Sequence, residues 1–352
     1  MPVPHAISKG DPIFLEVNTM KSQILKTVDL LNLYPLFGGA STNRAAVFML
    51  HEIRPPGETD QRVFSADRLE SFLEYLRSHR YNVISLTEYI DTLVGKAHLK
   101  KTVVFTVDDG YADFYDNAFP VFKAFSYPAA VFLTTDFIDS RLFFWWNQIE
   151  FALEATRKNS IDLGFINSPE MLLETPTDRT RAASLITESM KKLPNDTKLK
   201  LIGDLAKTLD VNIVGQPCGK YQPLSWEQIR EMHQCGIEFY PHTRTHPIMT
   251  RISREQKKQE LVSSKQRLEE QLGRPMDIFC YPNGGPDDID GETIELLREC
   301  GYRAALTGIP GFDYSTGDVD LYRLKRFAIP NTLPVFKQIV CGLEAFKEKV
   351  LG

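Results

Sequence analysis

From about residue 44 the chain alternates short apolar runs, rich in β-branched and aromatic residues, with longer stretches of helical period. That alternation predicts a βα-repeating domain with parallel strands. Strands are expected at 46–50, 81–85, 102–107, 129–134, 236–240, 277–281 and 304–307, with an eighth at 327–329. Seven or eight strands favour an α/β barrel over a doubly wound sheet. Between about 143 and 221 the pattern turns helical and polar with no strand candidate, which predicts a helical insertion capping one end of the barrel. The expected organisation is an N-terminal helical extension over 1–44, the barrel with its insertion over 45–330 and a C-terminal helix over 331–352.

Within this frame, Ser253 and Gln256 form a capping box, Leu261, Leu268 and Leu272 supply an apolar stripe, and Gly273 with Pro275 stops the helix. The charges at 251–258 and 267–270 read as its solvated face. The apolar stretch 24–37 is broken by Lys26, Asp29 and Pro35 and is too short to span a bilayer. It predicts an amphipathic helix packed on the outside of the domain, with peripheral membrane contact as the weaker alternative.

Composition narrows the function class. The 352 residues are 43% hydrophobic and 25% charged, the figures of an ordinary globular chain. A formal net charge of −5 argues against nucleic acid as partner, because phosphate binding needs clustered Lys and Arg. Five scattered cysteines without a CxxC pair suggest reduced thiols. Residues 1–14 show no basic start followed by an apolar core, so a cytoplasmic location is expected. Oligomeric state is not legible.

Two segments carry chemistry. The apolar run 103–107 ends in Asp108, Asp109 and Gly110, two adjacent carboxylates at a strand end, where barrels keep their active sites. Carboxylates forced together repel unless a cation lies between them. A lone Asp-Asp-Gly would more often cap a helix, but a second strand leads into Pro241, His242, Thr243, Arg244, Thr245, His246 and Pro247. Two imidazoles four residues apart, in a loop bounded by prolines, join Asp109 as a three-ligand metal set of the kind used for assisted hydrolysis. The hydroxyls of Thr243 and Thr245 are placed to orient the ring nitrogens.

The segments 106–110 (TVDDG) and 242–247 (HTRTHP) resemble, in order and separation, the TFDDG and H[ST]xxHP signatures of the polysaccharide deacetylase family, the NodB-homology or carbohydrate esterase family 4 group. The resemblance runs from about residue 46 to 329. It implies a distorted (β/α) barrel of the NodB type, Asp108 as general base, and Asp109, His242 and His246 as ligands of a divalent metal, Zn2+ first, with Co2+, Ni2+ or Fe2+ as alternatives. It also implies an oxyanion donor from the loop 279–284, assigned to the Asn283 backbone with Tyr281 beside it. Cys280 stands where the family's motif commonly carries the Arg that orients the base, so another Arg is expected to substitute. Arg323 and Arg326 are the candidates, Arg326 preferred. No histidine follows His246, so His51, at the end of the first strand, is a candidate proton donor to the leaving amine; the alternatives are a rim histidine held by hydrogen bonds, with Asp108 itself returning the proton. Phe143, Phe144, Trp145 and Trp146 are expected as packing of the insertion.

The expected function is removal of an N-acetyl or N-formyl group from an amino sugar, in a glycan or a nucleotide- or lipid-linked precursor. A catalytically silent carbohydrate-binding protein on the same barrel is the alternative, and a metal-free amidohydrolase a third. A complete base and ligand set favours the first.

Overall fold

The computed structural model describes Tyr34 and residues 42–60, 63–166, 168–213 and 215–345. The predicted helix at 24–37 lies outside the described residues apart from Tyr34, as does the rest of the N-terminal extension up to 41. All eight expected strands form, with ends that differ by at most two residues: β1 Ala45–Leu50, β2 Asn82–Val83, β3 Thr102–Val107, β4 Ala130–Leu133, then β7 Glu238–Pro241, β8 Ile278–Cys280, β9 Ala304–Leu306 and β10 Phe327–Ala328. Between β4 and β7 lies an unexpected pair, β5 Ser160–Ile161 and β6 Met171–Leu172. It is antiparallel and two residues deep, too short to leave a periodic signature.

The main sheet has the order β10-β1-β3-β4-β7, all parallel, with β2 also on β3. β8 and β9 form a second parallel pair. A parallel bridge from Leu306 to Leu324 and the bond from Arg326 N to Ile309 O (3.0 Å) carry β9 across to β10. Two seams lack a ladder among the described residues, β7 to β8 and β9 to β10, the second carrying only that isolated bridge and single backbone bonds. The architecture is therefore an α/β fold of distorted barrel form. β3 is buried at every position, as a parallel strand covered on both faces must be.

Helices cover the outside. Arg254–Leu272 is capped as expected, with Gln256 N donating to Ser253 Oγ and Ser253 N to Gln256 Oε1, and it ends at Gly273 in the left-handed region (φ 65°). Its charges are not all solvated. Lys257 is 3% exposed and donates to Asp290 and Glu292, and Arg267 makes two bonds to Asp139. The distant elements that enclose this helix recruit charges that local pattern assigns to water. Leu333–Cys341 is the C-terminal helix, packed on Ala66–Ser78 and β1.

The insertion builds its own apolar core. Helices Trp145–Ala155, Pro176–Met190 and Asn195–Thr208 bury Ile149, Leu153, Ile186, Met190, Ile202 and Leu205 against one another. No helix among the described residues is long and apolar enough to cross a membrane.

Candidate active site

Because the barrel strands run parallel, their C-terminal ends open at one mouth, and the chemistry-bearing residues follow those ends. His51 comes after β1, Asp108 and Asp109 after β3, His242 after β7, and the 281–284 turn after β8. Gly110 permits the turn below the carboxylates: at φ 97° a Cβ there would sit 2.8 Å from Ile138 Cδ1 and from Leu133 Cδ2.

Asp109, His242 and His246 converge. Asp109 Oδ1 lies 3.6 Å from His242 Nε2 and 3.3 Å from His246 Nε2, and one ligand atom from each of the three falls within 4.8 Å of the others. Asp109 Oδ1 is buried with no hydrogen-bond partner, an arrangement that is costly unless a cation completes it. His242 Nδ1 is 2.8 Å from the Cys280 carbonyl oxygen, which accepts only from an N–H. The Nε2 lone pair is thereby free to face Asp109. This bond also spans the unladdered seam between β7 and β8. Burial, opposed in part by Asp108, pushes the His242 pKa down to about 4, so the ring is neutral at pH 7, the form that can ligate a cation. Burial resists ionisation of Asp109, but His246, His51 and His242 hold its carboxyl below the usual range. These residues fit a divalent ion. A rival group of Asp108, His242 and Cys280 is compact too. It fits poorly, because burial raises the Cys280 thiol well above its ordinary value and Asp108 is already engaged by Arg326.

Asp108 has a different environment. Arg326, 1% exposed, reaches through the barrel interior with Nη1 to Asp108 Oδ1 (2.7 Å) and Nη2 to Oδ2 (2.8 Å). Its other donors go to Thr106 Oγ1, the Thr307 carbonyl and Cys280 Sγ. Burial would raise the Asp108 carboxyl, but the guanidinium, with His242 and His51, holds it well below the ordinary range. Cys280 Sγ lies 3.7 and 3.8 Å from the Asp108 oxygens. A guanidinium from just before β10 thus occupies the space a small β8 side chain leaves beside Asp108. Arg323 is half exposed and faces Asp320 at 3.7 Å instead.

The remaining expected residues divide. His51 Nε2 stands 3.9 Å from Asp108 Oδ2 with its side chain half exposed. Asn283 adopts φ 62°, its N–H has no partner among the described residues, and it lines the cavity at the mouth. Tyr281 is not brought to the group: its ring is buried and its hydroxyl donates to the Tyr322 carbonyl. Thr243 and Thr245 do not touch the ring nitrogens. Thr243 Oγ1 donates to the His242 carbonyl and accepts from His246 N, and Thr245 Oγ1 donates to Glu260. Short hydroxyls in a tight loop reach backbone before they reach a ring.

A cavity of about 860 Å³ runs from Asp108, Asp109, His242 and His246 across the inserted helices, where Glu150, Leu153, Arg179 and Thr187 line it. Of the aromatics at the start of the insertion, Trp145 belongs to the insertion's core and Trp146 packs against it, and both line the cavity. Trp146 also meets the His246 ring edge-on at 4.7 Å. Sequence treated both as packing alone.

The model of the polysaccharide deacetylase family matches residues 95–173 and 186–305, more than half of the chain. The chain is 34% identical over 92 residues to the poly-beta-1,6-N-acetyl-D-glucosamine N-deacetylase of Staphylococcus epidermidis, covering 26% of this chain and 30% of that protein. It is 29% identical over 122 residues to the enzyme of the same name from Escherichia coli, covering 30% of this chain and 18% of that protein. The matched stretches thus span less than a third of either relative. In fold it resembles a Streptococcus pyogenes deacetylase, PplD, solved in complex with acetate, with a TM-score of 0.55 and 19% identity over 83% of this chain and 96% of that one. The barrel, the order of the two signature segments and the breadth of the family match agree, and the chain belongs to the polysaccharide deacetylase family.

Proposed function

We propose that this chain hydrolyses the N-acetyl amide of an amino sugar within a glycan, releasing a free amine and acetate, with Asp108 as general base and Asp109, His242 and His246 holding a divalent ion. One observation carries the reading. A carboxylate kept ionised by a bidentate guanidinium lies next to three buried, converging ligand atoms, one of them without any other partner. Acyl-transfer hydrolysis needs this pairing of a base with an electrophile.

Zn2+, or Co2+, Ni2+ or Fe2+ in its place, would polarise the amide carbonyl and acidify water at this site. The protein supplies the rest. Asp108 takes the proton of the attacking water, and Arg326 keeps the carboxylate ionised and aimed. The Asn283 N–H donates to the oxyanion that develops on the carbonyl oxygen. His51, on the open side of Asp108, hands a proton to the departing amine. Trp146 and the insertion's helices form the far wall of the cavity, where the sugar beyond the acetamido group rests. The activity of the Staphylococcus epidermidis and Escherichia coli enzymes named above supports N-acetylglucosamine as the sugar unit.

The test is acetate release from β-1,6-linked N-acetylglucosamine oligomers with added Zn2+ or Co2+. Wild type is expected to turn over, and Asp108→Asn to lose about 10²–10⁴-fold in kcat, the usual worth of a positioned base. Inactivity of wild type with every metal and acetylated oligomer would favour a carbohydrate-binding role on the same barrel.

A further inference from the structure

We infer that Glu260 is a positioning residue for the imidazole pair, an inference that rests on the metal-binding reading above. Glu260 sits on the Arg254–Leu272 helix, outside the barrel mouth, and is buried. Its Oε2 accepts from both Arg244 N and Thr245 N at 2.8 Å, and its Oε1 accepts from Thr245 Oγ1 at 2.7 Å. All three donors belong to the five-residue loop that carries His242 and His246. Ser264 Oγ donates to the Glu260 carbonyl and helps fix the helix turn that presents the carboxylate.

This loop has reason to need an anchor. Thr243 stands at φ 67° and His246 at φ 58°, both in the left-handed region, and for β-branched Thr243 that backbone is a true outlier. Such conformations persist only where the surroundings over-determine them. The loop's carbonyls are taken by one neighbour, with Thr135 N donating to Thr243 O and Asp136 N to Arg244 O. Its outward N–H groups go to Glu260. Charge-assisted bonds to backbone N–H groups are roughly twice as strong as neutral ones, so a carboxylate suits the task.

The two rings depend on this anchor unequally. His242 is oriented directly by the Cys280 carbonyl. His246 Nδ1 is buried with no hydrogen-bond partner, so its ring direction follows from its backbone and from the edge-on contact with Trp146. Glu260 fixes that backbone through the residue before it. Loss of these three hydrogen bonds lets His246 relax toward ordinary φ and swings its Nε2 away from Asp109. Partners that orient ligands in this way are worth about 10–100-fold in metal affinity.

The experiment measures zinc affinity by competition with a chromophoric chelator, alongside thermal melting in EDTA, for wild type, Glu260→Gln and Glu260→Asp. The Gln amide preserves the pattern, because its oxygen accepts both N–H groups and its NH2 donates to Thr245 Oγ1, so affinity within about threefold of wild type is expected. The Asp carboxylate is one methylene short, and zinc binding at least about tenfold weaker is expected with the chain still folded in EDTA. An Asp variant that binds zinc within threefold of wild type overturns the proposal. So does one that is unfolded in EDTA at assay temperature, since Glu260 would then be holding the fold and not the loop. Wild type that binds no zinc defeats the functional reading itself, whereas equal binding by wild type and the Asp variant defeats the positioning role alone.

Discussion

The barrel mouth and the inserted helices are joined in one cavity but are built on opposite principles. At the mouth, Asp109, Thr243, His246 and Asn283 all adopt positive φ, and buried charge is matched by named partners. In the insertion, Asp210 is the only non-glycine residue at positive φ among those described from 143 to 213, and cohesion comes mainly from apolar side chains, the one buried ammonium, Lys198, lying 4.5 Å over the Trp145 ring. Strain at the mouth fixes a few polar atoms in place. Relaxed apolar packing in the insertion only has to supply a wall. The mouth should therefore fail by losing the proposed chemistry while staying folded, and the insertion by losing stability while that chemistry persists.

Arg326→Met should break this contrast most severely, because it strips the partner from a buried carboxylate. A loss of about 3–5 kcal/mol in urea unfolding is expected, together with at least about 10²-fold in kcat. A folded variant with normal turnover would mean that Asp108 is not the base. His246→Ala should cost about 10²-fold or more in metal affinity while the metal-free protein keeps its melting temperature within a few degrees, since the ring it removes makes no hydrogen bond through Nδ1. Equal metal content in variant and wild type would remove His246 from the ligand set.

Ile186→Ala lies in the insertion's core and should cost about 2–4 kcal/mol, with kcat at low temperature within a few-fold of wild type. A collapse of kcat without loss of stability would tie the insertion into the chemistry. The smallest effect concerns Asp113, whose Oδ2 accepts from Ile53 N just past His51. Burial pushes its pKa from 3.8 up to about 7. The folded state then holds a proton the unfolded chain has released, so this group's contribution to stability falls as pH rises from about 4 to 7. Asp113→Asn should flatten that fall by about 1–3 kcal/mol, read as urea midpoints at pH 5 and pH 8.

The contrast also explains what sequence could show. β3, buried at every position, and β7, buried after Glu238, were legible because buried parallel strands are largely apolar text, and the carboxylate and imidazole pairs stand where that text ends. Arg326 was legible only as a candidate, since nothing local places a guanidinium two strands away beneath Asp108. Glu260 left no signal at all. It sits among charges on a surface helix, and only the folded loop shows that its partners are backbone amides 15 and 16 residues earlier. Tyr281 marks the converse: adjacency to the oxyanion loop in sequence placed it at the site, but strand alternation turns its ring into the packing layer.

The central claim is a shared cation on Asp109, His242 and His246, and X-ray absorption at the zinc edge on the reconstituted protein tests it most directly. One ion per chain, with two imidazole nitrogens and the remaining positions filled by oxygen, is the predicted signature, with the nitrogen count falling by one in His242→Ala. A spectrum showing sulfur coordination, or one unchanged by removal of either histidine, would contradict it.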